Sequence, residues 1–331
     1  MTEPLLEVID VVRHYRLPRE RLFAPAPVVE ALRGVSLTVH AGRSFGIVGE
    51  SGSGKSVTAL SLMRLIPTPP GRIEAGEILF EGRDLLKLDD EAMRAIRGNR
   101  IAMIFQEPMS SLNPALTVGL QIAEPVNIHQ GKPWAQAYEV AKALLGKVQI
   151  PDAASRLHTY PHQYSGGMRQ RTMIAMALAC QPRLIIADEP TTALDVTVQA
   201  HILDLLKELT RETGAALILI THDLGVVARY ADNVAVMYAG HIVEQASAEE
   251  LYGHPRHPYT RGLLASVPRL DSVAGQRLVP IVGQPPDLLA LPGGCAFAPR
   301  CSLADAHCLG SRPALREVRL QHLNACFHDA D

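Results

Sequence analysis

From Leu5 to about Gln245, short apolar runs alternate with stretches whose apolar positions recur at helical spacing, the pattern of an α/β domain with a buried, largely parallel sheet. Ser44 to Val48, Ile101 to Phe105, Leu184 to Asp188 and Leu217 to Thr221 predict the core strands. Ahead of Ile101, segments such as Glu77 to Phe80 end in Gly or Asp turns and predict an antiparallel layer. Between Pro108 and Gln181 no strand pattern appears. Alanine-rich stretches such as Ala135 to Val148 predict a helical insertion between two core strands, about 107–181. Pro255, Pro258 and Pro268 then break the periodicity, and Pro and Gly cluster from Gly283 to Pro299. The expected division is residues 1–250 and a smaller C-terminal domain, 251–331, with no internal repeat.

Composition narrows the class. Of the 331 residues, 47% are hydrophobic and 20% charged, which fits an ordinary folded protein and excludes disordered, collagen-like and coiled-coil classes. The 32 Lys and Arg nearly balance the 34 Asp and Glu, giving a net charge of -2 without a basic block, so nucleic acid is not an expected partner. The apolar runs Met173 to Cys180 and Ala215 to Ile220 fall short of the roughly 20 residues a membrane helix needs. The opening MTEPLLEVID has no basic stretch followed by an apolar one, and the expected compartment is the cytoplasm. Four of the 5 cysteines lie in the last 37 residues, which suggests a metal before a disulfide.

The chemistry starts at Gly49-Glu50-Ser51-Gly52-Ser53-Gly54-Lys55-Ser56, which fits the P-loop pattern G-x-x-x-x-G-K-S/T and stands between a strand and the helix-period Val57, Leu60 and Met63. Glycines let backbone N–H groups curl round phosphate oxygens and the helix N-terminus adds its positive end. Lys55 reaches the β- and γ-phosphates, and Ser56 ligates Mg²⁺. Leu184-Ile185-Ile186-Ala187 runs into Asp188 and Glu189 at the end of a parallel strand, where open α/β sheets hold ligands. Asp188 is placed to hold Mg²⁺ through water and Glu189 to polarise the attacking water. Tyr164-Ser165-Gly166-Gly167-Met168-Arg169-Gln170 precedes the helix-like Arg171 to Cys180, so Ser165 reads as an N-cap over an anion-binding helix start. Cys295, Cys301, Cys308 and Cys326 are spaced C-x5-C-x6-C-x17-C. Four thiolates can hold a 4Fe-4S cluster or a tetrahedral zinc, and the spacing lacks the C-x2-C of zinc ribbons; unligated thiols are the third reading. Cys180, in an apolar run, reads as core.

The order P-loop, Gln106, SGG, Asp188-Glu189, Asp195, His222 resembles the nucleotide-binding subunits of ABC transporters. That resemblance implies an α/β fold with a RecA-like P-loop NTPase core, an antiparallel β subdomain, a helical subdomain and a small Cys-containing C-terminal extension. It also implies roles. Ser165, Gly166 and Gly167 serve the γ-phosphate held by a facing subunit, Gln106 senses Mg²⁺ and the γ-phosphate, His222 contacts the γ-phosphate, Asp195 signals across the dimer, and Tyr15 stacks on adenine. ATP contacts then span Gly49 to Val57.

Phe105 to Pro114, Gly167 to Arg171, Thr191 to Ala200 and His257-Pro258-Tyr259-Thr260 are similar to the oligopeptide/dipeptide/nickel importer branch. Met168 departs from the glutamine of the general signature, while Arg19 to Pro27 is similar to the sister subunit type. The branch implies a second homologous ATPase subunit, two transmembrane permease subunits and an extracytoplasmic solute-binding protein. The location implied is the cytoplasmic face of the plasma membrane, held peripherally. Some members carry an iron-sulfur cluster in the tail. Peptide is the expected solute, nickel or another small solute the alternative, and a soluble ABC ATPase acting on nucleic acid the remote one.

Overall fold

The computed structural model of the protein describes residues 3–19, 26–192, 195–266 and 280–328. Its elements begin with strands β1 (Pro4–Arg16), β2 (Val28–His40) and β3 (Ser44–Val48), helix α1 (Lys55–Leu62), strands β4 (Gly71–Phe80) and β5 (Arg83–Asp84), helix α2 (Asp90–Ile96) and strand β6 (Ile101–Ile104). Helices α3 (Pro108–Ser111), α4 (Val118–Gln130), α5 (Trp134–Lys147), α6 (Ala153–Arg156) and α7 (Gly166–Leu178) follow without a strand between them. Then come β7 (Leu184–Asp188), α8 (Val196–Thr213), β8 (Ala216–Thr221), α9 (Leu224–Tyr230), β9 (Asn233–Tyr238) and β10 (His241–Ser247). The chain closes with α10 (Ala248–Gly253), α11 (Pro258–Ala265), α12 (Ala306–Gly310), β11 (Arg316–Arg319) and β12 (His322–Asn324). Among the described residues no helix is long and apolar enough to cross a membrane.

Two compact units form, one of them built mainly from Lys87–Ile220. Its sheet is parallel, with Ile101 opposite Leu184 and Leu184 opposite Ala216. Every residue of β7 is buried, which is why this strand reads as a continuous apolar run rather than an alternating one. On the helical side, Ala137, Ala141 and Leu145 recur four residues apart and put one buried stripe on α5, which packs against α4 and α7. Thr117 caps α4 by accepting the Leu120 amide at 3.4 Å, and Gly131 ends it at φ +64°. Phe105, 39% exposed, lies past β6 rather than inside it.

The other unit comprises Pro4–Val39, Phe45–Leu86 and Thr221–Asp331. One sheet has the order β2-β1-β4-β5, with β1 antiparallel to β4 from Leu6 opposite Phe80 to Tyr15 opposite Gly71. A bulge between Ile9 and Val12 breaks that register, and Asp10 takes φ +46° there. The second sheet runs β3-β9-β10-β12-β11; β3 pairs in parallel with β9, and the remaining pairs are antiparallel. Val48, Val234, Val236, Tyr238, Tyr259 and Phe297 belong to one buried cluster, so β3, β9, α11 and the cysteine-bearing segment share a core.

The pair β11–β12 is not predicted by the apolar pattern. Its strands are four and three residues long, and β11 reads Arg-Glu-Val-Arg, too short and too charged to show alternation. A buried carboxylate fixes their position instead. Glu244 on β10 has no exposed surface and accepts the amides of Arg256 at 2.6 Å and His257 at 3.0 Å, with the equally buried His322 of β12 at 2.8 Å.

Candidate functional site

β3 delivers the chain into the glycine loop and α1 begins at Lys55, so strand, loop and helix stand in the order the motif demands. The loop folds back on itself. The Ser53 amide donates to the Glu50 carbonyl at 3.2 Å, and the Gly240 amide donates to the Ser53 carbonyl at 2.9 Å. Two glycines are required by this geometry. Gly54 caps α1 at φ +107°, a conformation costly for any residue with a Cβ, and a Cβ at Gly49 would run into the Met237 carbonyl oxygen. α1 opens with neither a side-chain cap nor an acidic residue in its first turn, which suits a bound anion. Lys55 is 5% exposed and donates from Nζ to the carbonyls of Gly49 at 2.8 Å and Glu50 at 3.0 Å. Ser53 Oγ is buried without a hydrogen-bond partner, an orphaned polar atom inside the loop that a phosphate oxygen would satisfy. Ser51 and Gly52 form the exposed crest, and Ser56 and Val57 are half-buried in the first turn of α1.

Glu50 is held from elsewhere in the same unit. Its amide donates to the Tyr259 hydroxyl at 2.8 Å, and its carboxylate accepts both terminal nitrogens of Arg300 at 2.6 and 2.9 Å. This fork is the strong bidentate kind of ion pair, and its hydrogen bonds hold the Arg300 guanidinium above its ordinary range against the opposing effect of burial. Arg300 also lies 5.9 Å from the ring centres of Tyr238 and Phe297. Neither Tyr259 nor Arg300 was marked as a site residue by sequence reasoning, although Tyr259 sits inside the quoted His-Pro-Tyr-Thr run. Tyr15 lies near the end of β1, opposite Gly71, with the Arg13 guanidinium 5.6 Å from its ring centre. His222 is exposed directly after β8, and Asp223 caps α9 by accepting the amides of Gly225 at 2.7 Å and Val226 at 3.4 Å.

A second constellation lies in the Lys87–Ile220 unit. Asp188 ends β7 at 5% exposure, and Glu189 follows in the left-handed region at φ +45°. That conformation is strained for glutamate, and such strain concentrates at working sites. Glu189 Oε2 accepts from Gln106 Nε2 at 3.1 Å and from Thr192 Oγ1 at 2.9 Å. Gln106 and Glu189, 83 residues apart, are thus brought together, and Thr192 is an addition that the sequence did not single out. Ser165 caps α7 by accepting the Met168 amide at 3.3 Å; Ser165 and Gly166 are exposed, and Gly167 is half-buried with room for a Cβ only 3.3 Å from Val198. Asp195 caps α8 through the Val198 amide at 3.0 Å. Its neighbours Ala193 and Leu194, like residues 20–25 in the Arg19 to Pro27 stretch and Pro268, lie outside the described residues.

All four tail cysteines are free, and their electrostatic interactions link each to others of the set. Burial raises the thiols of Cys295, Cys308 and Cys326. Backbone amides point at three of the sulfurs: Phe297 and Ala298 at Cys295, Leu303 at Cys301 (3.4 Å) and His328 at Cys326 (3.4 Å). Cys308 has a different neighbourhood, with His328 Nε2 at 3.5 Å from its sulfur and 3.5 Å from Asp305 Oδ2. Burial pushes the Cys180 thiol up to about 11, in keeping with a core role.

A P-loop with an uncapped helix start, a strand-end Asp-Glu pair joined to a glutamine, and a Ser-Gly-Gly helix cap together define an ABC-type ATPase. The chain matches the ABC transporter family model over residues 32–192 and the model of the oligopeptide/dipeptide transporter C-terminal region over residues 243–308. It is 55% identical over 273 residues to the dipeptide transport ATP-binding protein DppD of Bacillus subtilis, covering 82% of this chain and 81% of that protein. It is 50% identical over 323 residues to the oligopeptide transport ATP-binding protein OppD of Salmonella typhimurium, covering 98% of this chain and 93% of that one. Among solved structures, a dimeric ATP-binding cassette bound to ADP and Pi matches with a TM-score of 0.64 at 27% identity, over 73% of this chain and 98% of its own. The chain belongs to the ATP-binding subunits of ABC transporters, in the oligopeptide/dipeptide transporter family.

Proposed function

We propose that this chain hydrolyses ATP to power the import of peptides across the plasma membrane. The observation that carries this reading is the nucleotide loop, with its orphaned Ser53 hydroxyl and uncapped α1, in a chain that is half identical to a peptide transport ATPase along nearly its whole length. The loop amides and Lys55 hold the triphosphate, and Lys55 exchanges its loop carbonyls for phosphate oxygens as nucleotide enters. Ser56, Asp188 and Gln106 are the residues that would hold Mg²⁺, which neutralises charge on the β- and γ-oxygens when bound. Glu189 orients and polarises the attacking water, with Gln106 and Thr192 fixing its carboxylate. His222 contacts the γ-phosphate.

Ser165, Gly166 and Gly167 act in trans, the start of α7 offering its amides to a phosphate brought by a second subunit. The working unit is therefore a dimer with a homologous ATPase subunit. It sits at the cytoplasmic face beneath two permease subunits, which receive solute from an external binding protein. Met109, Ile128 and Trp134, at 60%, 66% and 45% exposure in the helical segment, supply an apolar surface for that docking. The test is recovery of Glu189→Gln chain from gently solubilised membranes with ATP present, read by mass spectrometry. Two permeases and a second ATPase are expected; ribosomes or nucleic acid without a membrane partner would overturn the importer reading.

The C-terminal cysteines fit a metal centre by their chemistry: four thiols in one neighbourhood, three of them receiving backbone amides of the kind that stabilise ligated sulfur. Cys295, Cys301, Cys308 and Cys326 would hold a 4Fe-4S cluster, which can supply electron transfer or a structural staple. Asp305, Cys308 and His328, whose ligand atoms all lie within 4.8 Å of one another, favour zinc as the second reading. Iron, sulfide and zinc analysis after anaerobic purification separates the two, and absence of stoichiometric iron sinks the cluster.

A further inference from the structure

The glycine loop carries a charge that works against its task. From Gly49 to Ser56 the ionised side chains are Lys55 and Glu50, so the loop by itself is formally neutral toward a ligand as anionic as a triphosphate. Glu50 is also central to the loop's shape. Its carbonyl accepts Lys55 Nζ at 3.0 Å and the Ser53 amide at 3.2 Å, and its own amide donates to the Tyr259 hydroxyl at 2.8 Å. An uncompensated carboxylate on this residue would repel the phosphates that the loop amides attract.

Arg300, 250 residues away in sequence and in the same compact unit, answers that charge. Its two terminal nitrogens donate to the two Glu50 oxygens at 2.6 and 2.9 Å, from a side chain 5% exposed to one 27% exposed. A pair this poorly solvated is screened little by salt. The guanidinium is not free to turn, because Nε donates to the Val282 carbonyl at 3.1 Å and Nη1 to the Tyr238 hydroxyl at 3.4 Å. Tyr238, Tyr259 and Phe297 have ring centres 4.7, 5.3 and 5.4 Å apart, so both anchors of Glu50 stand on one buried aromatic cluster. Beyond Val282, Pro285, Pro286 and Leu288 line a hollow of about 390 Å³ together with the loop crest. Asp287, the other carboxylate on that lining, accepts the Leu289 amide at 2.9 Å and adds to the negative charge beside the crest.

We propose that Arg300 is a positioning residue for the nucleotide: by neutralising Glu50 and, with Tyr259, fixing it, Arg300 gives the loop the net positive charge that a triphosphate requires. The inference rests on the loop binding ATP, as proposed above. Charge alone then orders the variants. Lys55, Glu50 and Arg300 together carry one net positive charge; Arg300→Gln leaves none, Glu50→Gln leaves two, and both changes together restore one.

The experiment is calorimetric titration of the full chain with ATP and with ADP, in EDTA so that the nucleotide keeps its full charge and is not hydrolysed. Circular dichroism checks that each variant keeps the native fold. Arg300→Gln should bind ATP about tenfold more weakly than the native chain and ADP only about threefold, since the extra phosphate carries the difference. Glu50→Gln, which can still accept one of the Arg300 bonds, should bind ATP about threefold more tightly than the native chain, and the double variant should bind it more tightly than Arg300→Gln alone. Glu50 is partly exposed, so its variant decides the matter even where Arg300→Gln does not fold. Binding by Glu50→Gln no tighter than native, equal losses of ATP and ADP, or a double variant no better than Arg300→Gln would overturn the role given to Arg300. Failure of the native chain to bind either nucleotide would overturn the ATPase reading itself, and this inference with it.

Discussion

Glu189 keeps one oxygen fully occupied, since Oε2 accepts both the Gln106 amide and the Thr192 hydroxyl. These two bonds set the orientation of the carboxylate. Glu189→Gln preserves size and can still accept one of those bonds, so the fold and ATP affinity should survive. Turnover should fall by roughly 10²- to 10⁴-fold, the range of a lost general base. Filter binding of ATP alongside phosphate release measures both, and unchanged turnover would remove Glu189 from the base role. At this scale the sequence was informative wherever a motif is local: the P-loop is eight consecutive residues and the strand-end carboxylates are adjacent to each other. Tyr259 and Arg300 were invisible as partners of Glu50 because they lie 209 and 250 residues away, and no local pattern records a contact of that range.

At the scale of elements, helix caps separate structure from chemistry. Ser165 on α7 and Asp89 on α2 do the same local work, each accepting one amide of the first turn, from Met168 at 3.3 Å and Ala92 at 2.8 Å. Replacing either by alanine should therefore cost about 1 kcal/mol, a small and similar fall in melting temperature. If Ser165 serves a phosphate on a facing subunit, as proposed, only Ser165→Ala should also cut ATP turnover steeply while leaving nucleotide binding to the isolated chain intact. Equal turnover in the two variants would reduce Ser165 to a cap. The helices and core strands of this region were legible because their burial is one-sided or complete, which writes a 3.6-residue stripe on α5 and an unbroken apolar run on β7. β11 and β12 were not legible: an edge hairpin of four and three residues draws its stability from a partner strand rather than from its own pattern.

At the scale of the whole molecule, the Glu244–His322 pair ties β10, the start of α11 and β12 together with two side chains that have no exposed surface. Burial alone would raise the Glu244 carboxyl. Hydrogen bonds from His322 and the amides of Arg256 and His257 outweigh it and hold Glu244 below its ordinary 4.5. The same bond, against the effect of burial, holds His322 above its ordinary 6.5, with Glu250 as a second carboxylate at 3.4 Å. The signs then fix the pH window. A raised histidine contributes stability that is complete below 6.5 and is lost as pH climbs through the higher folded value. A depressed glutamate contributes stability that is complete above 4.5 and is lost as pH falls through the lower folded value. Both contributions are whole only between those limits. The gap in melting temperature between the native chain and His322→Gln should therefore be widest near pH 5 to 6 and narrow above pH 7, as thermal melts in matched buffers would record. Glu244→Ala, which strands the histidine in the core, should cost about 3 kcal/mol or more and loosen the cysteine-bearing tail with it. A gap that stays flat from pH 5 to 9 would mean that His322 is held neutral and that shape, not charge, seats β12 against β10.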